Sequence, residues 1–78
     1  MDTFEKLKEL IVDTLSVDAE EIHPESDFFN DLKADSLDVV ELMMAVEENF
    51  GIKVPDEELS NLHTVNDVVK YIDDHKEN

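Results

Sequence analysis

Ser36 stands between two carboxylates, Asp35 and Asp38, at the head of an apolar-rich stretch, and it is the residue whose type and placing most invite chemistry. A serine at a helix start has three uses. It can be part of the cap, accepting a backbone N–H of the first turn. It can be a nucleophile, which requires a hydrogen-bonded base and a third group to orient that base. It can also be the attachment point of a covalent group, for which it need only face solvent. A phosphate ester there would meet free backbone N–H groups and the positive end of the helix dipole, with the two aspartates acting against it. The three histidines, His23, His63 and His75, fall in loops or near the tail with no pocket to bring one to Ser36, which argues against a hydrolase. The acids do not form a calcium loop either. Counting from Asp27 or Asp31, the third position is Phe29 or Lys33, and no glycine occupies the sixth.

Composition narrows the field further. The 78 residues hold 22 Asp+Glu against 6 Lys+Arg, a formal charge of −16 at pH 7, and all six cations are lysine. Such a surface repels phosphate backbones and anionic lipid headgroups, so nucleic-acid binding and membrane insertion are not expected. An acidic mimic that blocks a nucleic-acid-binding protein would need the charge alone, not a serine set between aspartates. Without cysteine there is no disulfide, thiolate metal site or cysteine nucleophile, which fits an intracellular, cytoplasmic setting. Neither a signal peptide nor a membrane span is expected from the N-terminal residues. A chain of this length has room for one small domain, 1–78, without a deep catalytic pocket, while 41% apolar residues is too many for a disordered tail.

The elements that must position Ser36 can be read from spacing and caps. Phe4, Leu7, Ile11 and Leu15 recur at helical intervals behind Asp2, with Glu5 three residues on, predicting a helix from Thr3 to Leu15. A second helix runs from Asp35 to Gly51, the only glycine, placed where a helix end favours a left-handed residue. A third follows Thr64, an N-cap with Asp67 three residues later, and presents Val65, Val68, Val69 and Ile72 on one face. Pro55 to Leu59 reads as one short helical turn. Residues 16–35 form a long connection whose Ile22, Pro24, Phe28, Phe29 and Leu32 are plausible anchors, since a structureless loop of that length is unusual in a small domain. The expected fold is all-α, a small four-helix bundle of three long helices and one short, with a long loop between the first two.

The second helix has two apolar faces. At about 100° per residue from Val39, Leu42, Met43, Val46 and Phe50 fall within about 60° of it, while Val40, Met44 and Leu37 lie at about 100°, 140° and 160°. Glu41, Glu47 and Glu48 flank that second stripe. Either the long loop folds over the stripe, or it is a surface on which a partner docks, with charge steering the approach and the ridge adding modest desolvation. Methionine suits a surface that meets several partners.

The stretch Asp31-Leu32-Lys33-Ala34-Asp35-Ser36-Leu37-Asp38-Val39-Val40-Glu41-Leu42 resembles the attachment motif of the acyl carrier proteins of bacterial-type fatty acid synthesis. The similarity continues through Glu47-Glu48-Asn49-Phe50-Gly51, Val54-Pro55-Asp56-Glu57-Glu58, Thr64-Val65 and Tyr71-Ile72, so it covers essentially the whole chain. The resemblance implies a carrier rather than an enzyme. Its serine, matched here by Ser36, bears 4'-phosphopantetheine derived from coenzyme A, and growing fatty acyl chains ride as thioesters on the terminal thiol of that arm. It implies partners, a phosphopantetheinyl transferase and the fatty acid synthesis enzymes, whose basic patches meet Asp35, Asp38, Glu41, Glu47 and Glu48, with Leu37, Val40 and Met44 as apolar contacts. It implies an acyl-chain cavity lined by Val39, Leu42, Val46, Leu59 and Leu62. A monomer is expected, with no specific metal. Polyketide, peptidyl and D-alanyl carriers share the fold and the serine, and a stand-alone chain this acidic favours fatty acid synthesis. One departure is Lys33, where the family commonly has glycine. Two effects are open to it: easing the local negative charge, or altering how the loop bends and how a transferase accepts it.

Overall fold

Side-chain-to-backbone bonds start all three long helices where the spacing puts them, one-way at the first and reciprocal at the other two. The computed structural model describes residues 2–75. Helix α1 (Thr3–Leu15) opens with the Asp2 carboxylate accepting the Glu5 N–H at 2.8 Å, and closes at Ser16, whose φ of 58° is left-handed. Helix α2 (Ser36–Phe50) is capped by Asp35. The Asp35 carboxylate accepts the Asp38 N–H at 3.0 Å, and the Asp38 carboxylate accepts the Asp35 N–H at 3.2 Å. It ends at Gly51, with φ 68° and its N–H on the Glu47 carbonyl. A Cβ there would meet nothing within 4 Å, so backbone conformation alone selects glycine. Helix α3 (Val65–His75) starts from Thr64, whose hydroxyl accepts the Asp67 N–H while Asp67 accepts those of His63 and Thr64, each at 3.1 Å.

The fourth, short helix expected at 55–59 is a 3₁₀ turn, Asp56–Asn61, and a second 3₁₀ turn, Ala19–Glu21, lies in the long connection. The latter has no apolar period to announce it, being Ala-Glu-Glu.

The helices meet through Leu7 and Ile11 of α1, Val39, Leu42, Met43 and Val46 of α2, and Val65, Val68 and Ile72 of α3, all buried. Phe50, at the end of the core stripe, is half-buried, with the Lys6 ammonium 5.0 Å from its ring centroid.

The long connection is part of that core. Ile22, Phe28 and Leu32 are buried in it. Its backbone is bound to the approach to α3: the Phe28 N–H donates to the His63 carbonyl at 2.9 Å, the Val65 N–H to Ser26 at 3.0 Å, and the Asn66 N–H to Pro24 at 2.8 Å. Buried Ser26 accepts the His23 N–H and donates to the Glu21 carbonyl. Asp27 then turns the chain by accepting the N–H groups of Phe29 and Asn30. Those bonds, that from Asn30 first, hold the Asp27 carboxyl below the usual carboxylate range.

Lys33 completes the bend into α2 with a φ of 60°. The loop therefore needs the left-handed conformation that glycine adopts without a Cβ penalty. Of the two effects open to Lys33, an altered bend has this structural basis. Replacing it should relieve the backbone. Lys33→Gly is expected to stabilise the fold by up to about 1 kcal/mol, raising the melting temperature by about 4–8 °C for a domain of this size. A thermal melt at or below that of wild type would mean that the left-handed residue carries no strain.

Candidate functional site

Ser36 is the first residue of α2, not its cap. Asp35 fills that role, and the two carboxylates flanking the serine are turned onto each other's backbone N–H groups. The Ser36 hydroxyl is exposed and makes no hydrogen bond among the described residues, so nothing in the fold requires it to stay as it is. A group esterified to Oγ would project from the helix end without breaking a structural bond. The residues present fit such an attachment.

Beside the serine lies a half-open groove of about 320 Å³, lined by Ser36, Val39 and Val40 of α2, Phe29 of the long connection, and Leu59, Ser60 and His63. Its size is at the lower end of the range for small-molecule pockets. His63, a loop residue with no pocket by sequence, faces this groove together with Ser36. That is a correction, and its cause is non-local: the bond from Phe28 to the His63 carbonyl brings 63 to the loop that precedes α2. No hydrogen bond joins the Ser36 hydroxyl to the His63 imidazole among the described residues, so the pair lacks the activated geometry of a nucleophile and base.

The residues named for the acyl cavity separate into two sets. Val39 and Leu59 line the groove. Leu42, Val46 and Leu62 do not line it and are buried in the packed core, with Leu42 and Val46 wholly inaccessible. Sequence reasoning missed Phe29, Ser60 and His63. Phe29, expected as an anchor of the long connection, is instead 40% exposed and borders the groove, because the chain turns at Asp27 and carries it away from Phe28.

The second stripe of α2 is open to solvent: Leu37 is 74% exposed, Met44 57% and Val40 36%. The long connection packs beside α2 without covering them. Glu41 and Glu48 are exposed and have no hydrogen-bond or ion-pair partner among the described residues. Glu47 differs. It is half-buried, and its carboxylate accepts the Val54 N–H at 2.7 Å, fixing the chain after α2. Asp35 and Asp38 are likewise engaged in the cap, though their charge remains at the serine end.

Comparison with known proteins agrees with this geometry. Residues 5–72 match the family model described as "Phosphopantetheine attachment site". The chain is 60% identical over 76 residues to the acyl carrier protein of Helicobacter hepaticus, covering 97% of this chain and 100% of that one. It is 57% identical over 74 residues to that of Clostridium acetobutylicum, covering 95% and 96%. Against the acyl carrier protein of Helicobacter pylori strain G27 it is 53% identical over 76 residues, 97% of each chain. With a match to the attachment-site family across most of its length, and end-to-end likeness to these relatives, the chain belongs to the acyl carrier proteins.

Proposed function

We propose that residues 1–78 work as one acyl-carrier domain that takes 4'-phosphopantetheine on Ser36 and carries growing fatty acyl chains for fatty acid biosynthesis. The observation that carries this reading is the unengaged, solvent-facing Ser36 hydroxyl at the mouth of an apolar groove. Membership of the family makes the chain a carrier and not a catalyst. The arm, when attached, supplies the thiol that holds acyl groups as thioesters, which a chain without cysteine cannot provide. The protein's own residues do the rest. Asp35 and Asp38 fix the helix start and with it the serine's backbone, and Val39, Val40, Leu59 and Phe29 give an apolar chain a place out of water. Leu42, Val46 and Leu62 are packed in the core and do not line that groove. A chain too long for the groove must part them, at a packing cost that grows with length.

The test is the intact mass after incubation with coenzyme A and a phosphopantetheinyl transferase. One added phosphopantetheine is expected, and a protein that gains nothing overturns the reading.

The docking surface we assign to the exposed ridge of Leu37, Val40 and Met44, within the field of Asp35, Asp38, Glu41, Glu47 and Glu48. Its partners are the transferase and the synthesis enzymes, met through basic patches. A cytoplasmic monomer suits that role, and no described helix is long and apolar enough to cross a membrane. Charges at the rim of such a contact act mainly on encounter rate and salt dependence. Glu41→Lys and Glu48→Lys are therefore expected to slow association with these enzymes at low salt, with helical content unchanged. Added salt should slow the wild type and shrink the difference, as screening shortens the Debye length to about 10 Å at 0.1 M. Equal association rates at low salt would move the partner surface elsewhere.

A further inference from the structure

The groove beside Ser36 is not uniformly apolar. Four of its residues offer only hydrocarbon, and the polar ones are Ser36, Ser60 and His63. With an arm attached, the Ser36 oxygen is committed to an ester. Ser60 and His63 are then the only lining side chains able to donate or accept a hydrogen bond.

That matters because of the arm's own chemistry. Between the phosphate and the thiol, phosphopantetheine has two secondary amides, each with one N–H and one C=O. Drawing a thioester-linked chain into the groove pulls this stem against the mouth and removes water from it. An amide taken from water without a new partner costs free energy that acyl burial must exceed.

The two side chains are arranged to supply partners. The His63 backbone is held on both sides, its N–H on the Asp67 carboxylate at 3.1 Å and its carbonyl receiving the Phe28 N–H at 2.9 Å. Its imidazole makes no hydrogen bond among the described residues and has both ring nitrogens to offer. The Ser60 hydroxyl reaches only the Glu57 carbonyl, at a long 3.4 Å, a bond readily exchanged for a better one. We infer that Ser60 and His63 form a polar wall that hydrogen-bonds the amide stem of the arm when its acyl cargo is drawn into the groove. They are positioning residues: the wall sets how often a thioester is sheltered and how often it is presented to an enzyme. This inference rests on Ser36 as the attachment site and the groove as the acyl shelter.

The test uses the full chain carrying the arm, charged with either a decanoyl or an acetyl thioester, and follows cleavage by hydroxylamine by mass. In the wild type, decanoyl should be cleaved more slowly than acetyl by well over about tenfold, since loss of the wall alone is to release about that much. Ser60→Ala combined with His63→Ala should speed decanoyl cleavage by about tenfold, the scale expected when two modest hydrogen bonds are lost. Acetyl, too short to draw the stem inward, should be cleaved at the wild-type rate. His63→Gln, which keeps a donor and an acceptor, should stay within about threefold of wild type. If the double variant protects decanoyl as well as wild type does, or decanoyl on His63→Gln is cleaved as fast as on the double variant, the polar wall is wrong while the groove stands. If wild-type decanoyl is cleaved as fast as acetyl, the shelter itself fails and the wall with it.

Discussion

Ser36→Ala is expected to gain no mass when incubated with coenzyme A and a phosphopantetheinyl transferase, under conditions in which the wild type gains one phosphopantetheine. The effect should be all or none, because the linkage needs a hydroxyl and the variant has none at that place. Folding should not confuse the result. Ser36 is exposed, its hydroxyl makes no hydrogen bond among the described residues, and the cap of α2 is built from Asp35 and Asp38. Alanine is also the strongest helix former, so the change leaves α2 at least as well disposed to form. The circular dichroism and melting temperature of the variant should therefore match those of the wild type. Other serines and threonines sit close to turns or caps, among them Thr3, Ser16, Ser26, Ser60 and Thr64, and they test the assignment from within. Modification of the alanine variant at any of these, located by peptide mass, would remove Ser36 from the proposal.

How far the sequence reaches is set by whether the determining interaction is local. Each long helix announces itself within a few residues, by Asp2 over Glu5, Asp35 over Asp38, Thr64 over Asp67, and Gly51 at a stop; the caps close across three or four positions. That Leu37, Val40 and Met44 share one side of α2 follows from periodicity in the same way, but their exposure does not, since it depends on where the long connection lies. The groove does not follow. It exists because 26–28 pairs with 63–65, a contact across more than 30 positions that no window of sequence contains, and this pairing brings Phe29, Ser60 and His63 to Ser36. The acyl residues expected from resemblance divide for a related reason: periodicity shows that Leu42 and Val46 face inward, but not whether inward means a cavity wall or a filled core. At Lys33 the sequence shows only a side chain. The φ of 60° that gives the position its meaning is visible in the backbone.

The long connection offers the sharpest stability contrast, because two adjacent phenylalanines are expected to behave in opposite ways. Phe28 is wholly inaccessible and packs with the core, and its N–H anchors the bond to His63. Removing a buried phenylalanine side chain costs about 3–5 kcal/mol through lost transfer free energy and the cavity left behind. A domain of 78 residues has a total stability of about 4–12 kcal/mol, and mutual repulsion of its carboxylates keeps this chain from the upper end. Phe28→Ala should therefore lower the melting temperature by more than about 10 °C, or leave the chain largely unfolded at low salt. Phe29 is 40% exposed and borders the groove. Phe29→Ala should cost less than about 1 kcal/mol and leave the melt close to that of wild type. The pair separates two pictures of residues 16–35. In one, the connection is a tether that happens to lie against the helices, and both substitutions are mild. In the other, it is a fourth layer of the core that holds Phe29 and His63 against the start of α2. A Phe28→Ala variant that melts within a few degrees of wild type would favour the tether, and the groove beside Ser36 would then lose the element that builds its outer wall.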